Sequence, residues 1–163
     1  ADIGGGYGTI LATVLQHHPA MRGVLFDMPH VVEAARPLLQ DQGVGDRCET
    51  IGGDFFTAVP AGMDAYLLSQ ILHDWDEAQC RIILRHCREA IPAHGKLLLV
   101  EMVLPDSNEP SFGQWLDLHM LAITGGQERT ASEYTDLLRS EGFTVTGIIP
   151  TAAGPGVVEA TPS

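Results

Sequence analysis

The sequence has little positive charge. Lys96 is its only lysine, the arginines are scattered, and 21 acidic residues against 9 basic ones leave a formal net charge of −12. A chain this acidic, with no Lys/Arg run, lacks the electrostatic footprint for nucleic acid or an anionic membrane surface, so neither is expected as a partner. Long apolar runs are missing, and no signal peptide is visible, so nothing points to a bilayer span or to secretion. Cys48, Cys80 and Cys87 are odd in number and lack metal or redox spacing. Reduced thiols in a cytoplasmic protein are therefore expected. No His/Asp/Glu set shows ligand spacing, so no metal is expected either. An initiator methionine is also lacking, and little of the strand that should feed the first turn is present. The expectation is one domain over residues 1–163, as a fragment without its N-terminal part.

A chain of 163 residues is long enough for one substantial core. Its organising stretch is Asp2-Ile-Gly4-Gly5-Gly6-Tyr7-Gly8. Glycine permits positive φ and close backbone approach, and the following helix would aim its free N–H groups at a ligand. The dinucleotide pattern G-x-G-x-x-G fails here. From Gly4 it needs a glycine where Thr9 stands, and from Gly5 one where Tyr7 stands. A Gly-rich surface turn is the plain alternative.

Along the chain, apolar runs alternate with helical patterns. Helices are predicted at 9–17, at 31–42 in two pieces divided by Pro37, from the Asp76/Gln79 capping box to Ala90, at 112–123, and from the Thr130/Glu133 box to Gly142. Strands are predicted at 23–26, closing on Asp27, and at 48–51, 64–70 and 96–104, followed by an antiparallel pair at 143–149 and 157–160. A polar loop is expected over 105–110 and a Gly/Pro turn over 153–156. The alternation specifies an α/β doubly wound sheet with an antiparallel C-terminal hairpin.

Such sheets bind ligands beyond the carboxyl ends of their strands, and those ends read Asp2, Asp27, Asp54, His73 and Glu101. Asp27 follows the glycines at roughly the twenty-residue spacing where an acid meets ribose hydroxyls. Asp54 offers a carboxylate to an adenine amine, and Phe55 a ring to its face. Each aspartate alone is equally well a turn former or helix cap. Three on successive strands favour a cofactor site. Glu101 interrupts an otherwise apolar strand, so it needs a partner. An imidazole held by Glu101 and Glu128 makes His73 a suitable general base for a hydroxyl that must lose its proton. The plainer reading has His73 bonded to Asp74 or Asp76.

These segments carry a resemblance. Asp2-x-Gly-Gly-Gly-x-Gly8, Phe26-Asp27-Met-Pro-His-Val-Val32, Gly53-Asp54-Phe-Phe56, Leu72-His73-Asp74-Trp75 and Gly125-Gly-Gln-Glu-Arg-Thr130 resemble, in order, those of small-molecule O-methyltransferases of the plant caffeate/acetylserotonin type and their bacterial polyketide-tailoring relatives. The resemblance implies a Rossmann-like class I methyltransferase sheet binding S-adenosyl-L-methionine (SAM), whose ammonium suits Asp2 better than a pyrophosphate would. It implies Gly4, Gly6, Asp27, Asp54 and Phe55 at the cofactor, His73 as base with Glu101 and Glu128 as supports, and Trp115 and Met120 at the acceptor. Plant members often carry lysine four residues before the base; here Ser69 stands there and is taken as a cofactor-side candidate. The family's N-terminal helical domain, which dimerises and closes the pocket, has no counterpart in the sequence. The implied activity is methyl transfer to a hydroxyl of a small aromatic or polyketide acceptor. The alternative is a SAM-binding hydroxylase or decarboxylase of the same fold.

Overall fold

The computed structural model describes residues 1–107, 112–152 and 154–163, so the expected loop at 105–110 and turn at 153–156 lie partly outside the described residues. The elements run β1 (Asp2–Ile3), α1 (Thr9–His17), β2 (Gly23–Asp27), α2 (Pro29–Asp41), β3 (Cys48–Gly52), β4 (Ala65–Ser69), α3 (Glu77–Ala90), β5 (Lys96–Glu101), β6 (Val103–Leu104), α4 (Phe112–Ile123), β7 (Arg129–Thr130), α5 (Ala131–Ser140), β8 (Phe143–Pro150) and β9 (Gly156–Pro162). Short 3-10 turns cover Gly45–Arg47 and Leu72–Asp74. The main sheet has the order β3-β2-β1-β4-β5-β9-β8. Its first five members are parallel, while β9 runs antiparallel to β5 and to β8. This is the doubly wound sheet with a C-terminal hairpin that the alternation of elements predicts.

Period-two alternation splits the strand residues between two cores. Leu25 joins Leu11, Leu15, Val32 and Leu39 beneath α1 and α2. Phe26, Tyr66, Leu68, Leu97 and Leu99 join Ile83, Leu84, Leu137 and Leu138 beneath α3 and α5. Both expected capping boxes form. Asp76 accepts from the Gln79 amide at 2.8 Å, and Thr130 accepts from the Glu133 amide at 3.3 Å. Each is worth about 1 kcal/mol to its helix.

Two expectations need correction. Helix α2 is continuous, with Pro37 inside it. Pro37 lies on the exposed face, where water can take the carbonyl that its missing N–H leaves free. Strand β5 ends at Glu101, not Leu104, because the chain leaves the main sheet there. Val103 and Leu104 pair instead with Arg129 and Thr130 in a separate parallel ladder. That clasp brings Glu101 and Glu128 together. Among the described residues, no helix is long and apolar enough to cross a membrane.

Candidate active site

The glycine turn hangs on β2. The amides of Gly4 and Gly5 donate to the Phe26 carbonyl at 2.8 and 3.4 Å. Gly4 has φ +70°, and a Cβ there would lie 2.6 Å from the Ile71 side chain. At Gly6, φ is +59° and a Cβ would meet no heavy atom within 4 Å. The turn therefore packs tightly at Gly4 and opens at Gly6. Asp27 stands beside the opening. Its two oxygens accept from the Gly6 amide at 2.8 Å and the Met28 amide at 2.7 Å, which fixes the carboxylate while leaving each oxygen a further lone pair. Asp54 is anchored in the same way by the Phe56 amide at 2.8 Å.

Asp27, Met28, Gly53, Asp54, Phe55, Phe56 and Trp75 line a cleft of about 280 Å³. Phe55, Phe56 and Trp75 meet edge to face at its wall. Two carboxylates beside aromatic faces suit a planar heterocycle on a polyol. Asp2 is placed otherwise. Its carboxylate lies beneath Gly5, 2 % exposed, with Oδ1 unpartnered. Burial pushes its carboxyl up to about 6. A similar cleft of about 300 Å³ opens at the far end of β3, beside Arg36, Gln40 and Cys48, and touches none of the residues nominated from the sequence.

Beyond β4, Gln70 adopts φ 54°, the only described non-glycine residue with positive φ. This abrupt turn starts the 3-10 segment that carries His73. His73 is 8 % exposed, and Glu101 and Glu128 are fully or almost fully buried. His73 Nδ1 lies 2.9 Å from Glu128 Oε1. A carboxylate can only accept, so Nδ1 carries the hydrogen and Nε2 keeps the basic lone pair. The nearest acid to Nε2 is Asp74, at 3.7 Å. The Glu128 hydrogen bond raises the His73 pKa above its ordinary value, with burial opposing and the charge of Glu101 adding.

Glu101 acts mainly on the backbone. Its Oε1 accepts from the amides of Ile71 at 3.0 Å and Leu72 at 2.8 Å, while Oε2 is 4.0 Å from His73 Nδ1, beyond hydrogen-bond reach. Burial pushes its carboxyl up to about 7. Ligand atoms of His73, Glu101 and Glu128 lie within 4.8 Å of one another, a proximity that their sequence separation conceals. Three of the atoms in that group are already hydrogen bonded, His73 Nδ1 to Glu128 Oε1 and Glu101 Oε1 to two amides.

The remaining nominations divide. Ser69 closes β4, half-buried, opposite Val100. Met120 is buried, whereas Trp115 is 71 % exposed on an outer face of α4 that also shows Phe112, Leu118 and Leu121. Three residues that the sequence reading did not nominate hold the cluster. Asp117 on α4 accepts from the Glu128 amide at 2.8 Å. Gly126 abuts the His73 carbonyl so closely that any Cβ would collide with it. Arg129 is buried behind the turn. Gly126 and Arg129 belong to a motif segment but carry no catalytic pattern of their own, and Asp117 has no local signal.

A family model described as an O-methyltransferase domain matches residues 1–144. The chain belongs to that O-methyltransferase family. It is 56 % identical over 161 residues to a phenazine O-methyltransferase of Lysobacter antibioticus, covering 99 % of this chain and 47 % of that protein. It is 46 % identical over 150 residues to an O-demethylpuromycin O-methyltransferase of Streptomyces alboniger, covering 90 % of this chain and 40 % of that one. The O-methyltransferase of neocarzinostatin biosynthesis, solved with SAM and 2-hydroxy-5-methyl naphthoic acid, superposes with a TM-score of 0.91 at 34 % identity, over 99 % of this chain and 48 % of that one. The chain thus spans less than half the length of these relatives.

Proposed function

We propose that the protein to which this chain belongs transfers the methyl group of SAM to a hydroxyl of a small aromatic or polyketide acceptor, with His73 as general base. The observation that carries this reading is the buried His73–Glu128 hydrogen bond at the carboxyl edge of the sheet, one strand from the glycine turn. When bound, SAM supplies an electrophilic methyl on a sulfonium. Gly4, Gly6, Asp27, Asp54 and Phe55 form its site, with Asp27 on the ribose hydroxyls and Phe55 in the aromatic wall of the adenine cleft. Ser69 flanks that site, and Asp2 acts from beneath the turn through its charge. The acceptor hydroxyl gives its proton to His73 Nε2 as its oxygen takes the methyl, whose bond to sulfur breaks so that S-adenosylhomocysteine leaves as a neutral thioether. Glu128 holds the tautomer and balances the imidazolium, and Glu101 holds the turn. Trp115 and Met120 contribute to the acceptor side.

The apolar outer face of α4 and the longer relatives support a further part of this reading. An N-terminal helical domain outside this chain covers α4, completes the acceptor pocket and forms a homodimer. Three unpaired thiols fit a reducing cytoplasm. The full-length protein, given methyl-labelled SAM and a panel of hydroxylated aromatics, should yield an O-methylated product and one S-adenosylhomocysteine per turnover. A hydroxylated or decarboxylated acceptor with no label incorporated would overturn the assignment.

A further inference from the structure

Arg129 is almost completely buried, 2 % exposed, yet none of the ion pairs among the described residues includes it. A guanidinium without a paired carboxylate is an expensive thing to bury. Its contacts show where it acts. One terminal nitrogen donates to the carbonyls of Leu72 at 3.2 Å and Gln127 at 3.3 Å, and the other to Cys80 Sγ at 3.5 Å. Leu72 immediately precedes the base. Its amide is held by Glu101 at 2.8 Å and its carbonyl by Arg129, with the Cys80 thiol donating to the same carbonyl at 3.1 Å. One residue is thus gripped at both ends by buried side chains of opposite charge, while Gly126 abuts the carbonyl of His73 itself.

The charges around this turn are few and can be named. Glu101 from β5, Glu128 from the segment before β7 and Asp74 on the turn itself act on His73. Behind it, the charges of Glu101, Glu128, Arg129 and the Cys80 thiol of α3 act on the Tyr134 hydroxyl of α5. With the imidazole neutral and both glutamates ionised, Glu101, Glu128 and Arg129 carry one net negative charge. When His73 takes a proton, the group becomes neutral. Without Arg129, the two carboxylates would act on His73 with no buried cation to offset them.

We propose that Arg129 is a positioning residue for methyl transfer: it fixes the peptide that carries His73 and offsets one of the two carboxylates behind it. This rests on His73 being the base, and the test separates the two ideas. In the full-length enzyme, Arg129→Lys keeps the charge but has a single nitrogen, so it cannot hold the two carbonyls and Cys80 Sγ at once. It should lower kcat roughly tenfold, with SAM affinity by calorimetry within about twofold of wild type and the acidic limb of the rate profile unmoved. Arg129→Met removes the charge as well. It should lower kcat by about 10²-fold and move that limb upward by about one pH unit, because loss of a nearby cation favours the imidazolium.

Wild-type kcat and an unmoved limb in both variants would overturn the proposal. If the methionine variant does not fold, the lysine variant decides, since the proposal requires its rate to fall. A lysine variant that fails to fold assigns Arg129 to stability alone and also overturns it. His73→Gln is measured alongside. A wild-type rate there removes the base assignment and this proposal with it, whereas a slowed His73→Gln beside unaffected Arg129 variants removes this proposal only.

Discussion

The carboxyl edge of the sheet holds two polar regions built on opposite plans. Near the glycine turn, Asp27 and Asp54 are reachable from the cleft, and each is fixed by backbone amides close to it in space. Around His73, the carboxylates of Glu101 and Glu128 are buried and bonded to groups 29 to 55 residues away. The first plan suits reversible binding, because a carboxylate with spare lone pairs and access to water can exchange solvent for a ligand's hydroxyls. The second suits charge development, because dipoles and charges already in place need no reorganisation when the imidazole becomes a cation. Binding and proton transfer should therefore fail independently when each region is disturbed.

The largest expected effect separates them directly. In the full-length enzyme, His73→Gln should lower kcat by about 10²–10⁴-fold while leaving SAM affinity intact, with smaller losses for Glu101→Gln and Glu128→Gln. In the wild type, the rate should fall as pH drops through a value above imidazole's ordinary 6.5, since the Glu128 bond favours the protonated ring and only the neutral ring can accept a proton. That limb should vanish from the His73→Gln profile. Two acceptors of different acidity should be compared, because a partly ionised phenol needs the base less. Wild-type turnover of both would make His73 structural.

The converse comes from the binding side. Asp27→Ala should weaken SAM binding by about 1–3 kcal/mol, the scale of leaving buried hydrogen-bond partners unmatched, with kcat at saturation changed little. An unchanged dissociation constant in calorimetry would remove Asp27 from the site.

Asp2 sharpens the comparison, because it sits at the binding region but is buried like the catalytic group. Its carboxyl is raised from 3.8 to about 6 in the fold, so between those values the native protein binds the extra proton. Stability should fall as pH rises through that window, and the loss should persist above it. Asp2→Asn should abolish this slope and gain on the order of 2–3 kcal/mol near pH 7 in the ligand-free protein. Parallel melting curves of the two proteins from pH 4 to 7 would contradict it. The smallest expected effect is none. A chelator should leave turnover of the full-length enzyme unchanged, and inhibition reversed by Mg²⁺ would show that the His73–Glu101–Glu128 group works through a metal.

The same contrast explains what could be read from the sequence. Acids at strand ends, capping residues and glycine spacing are local signals, so the sheet, both capping boxes and three cleft residues, Asp27, Asp54 and Phe55, were legible. The interior of the His73 cluster was legible only in part. Glu101 stood out as a lone charge in an apolar strand, yet its main partners, the amides of Ile71 and Leu72, depend on how β5 lies beside β4. Asp117 acts through the Glu128 amide on another element, and Arg129, though part of a motif segment, gives no sequence sign that the fold will bury it. The uninterrupted α2 likewise depended on which face of the helix Pro37 would occupy.

The short ladder between Val103–Leu104 and Arg129–Thr130 has a further consequence. It makes the segment that carries α4 a cassette fastened at two seams beside the His73 cluster. Glu101 lies just before one end of the cassette and Glu128 just before the other. Residues on the outward side of α4 can therefore be exchanged, or the insert lengthened, while His73 keeps its setting. On the proposed reading, acceptor preference belongs to this insert, and recombination at the same two seams should change it without disturbing the cluster.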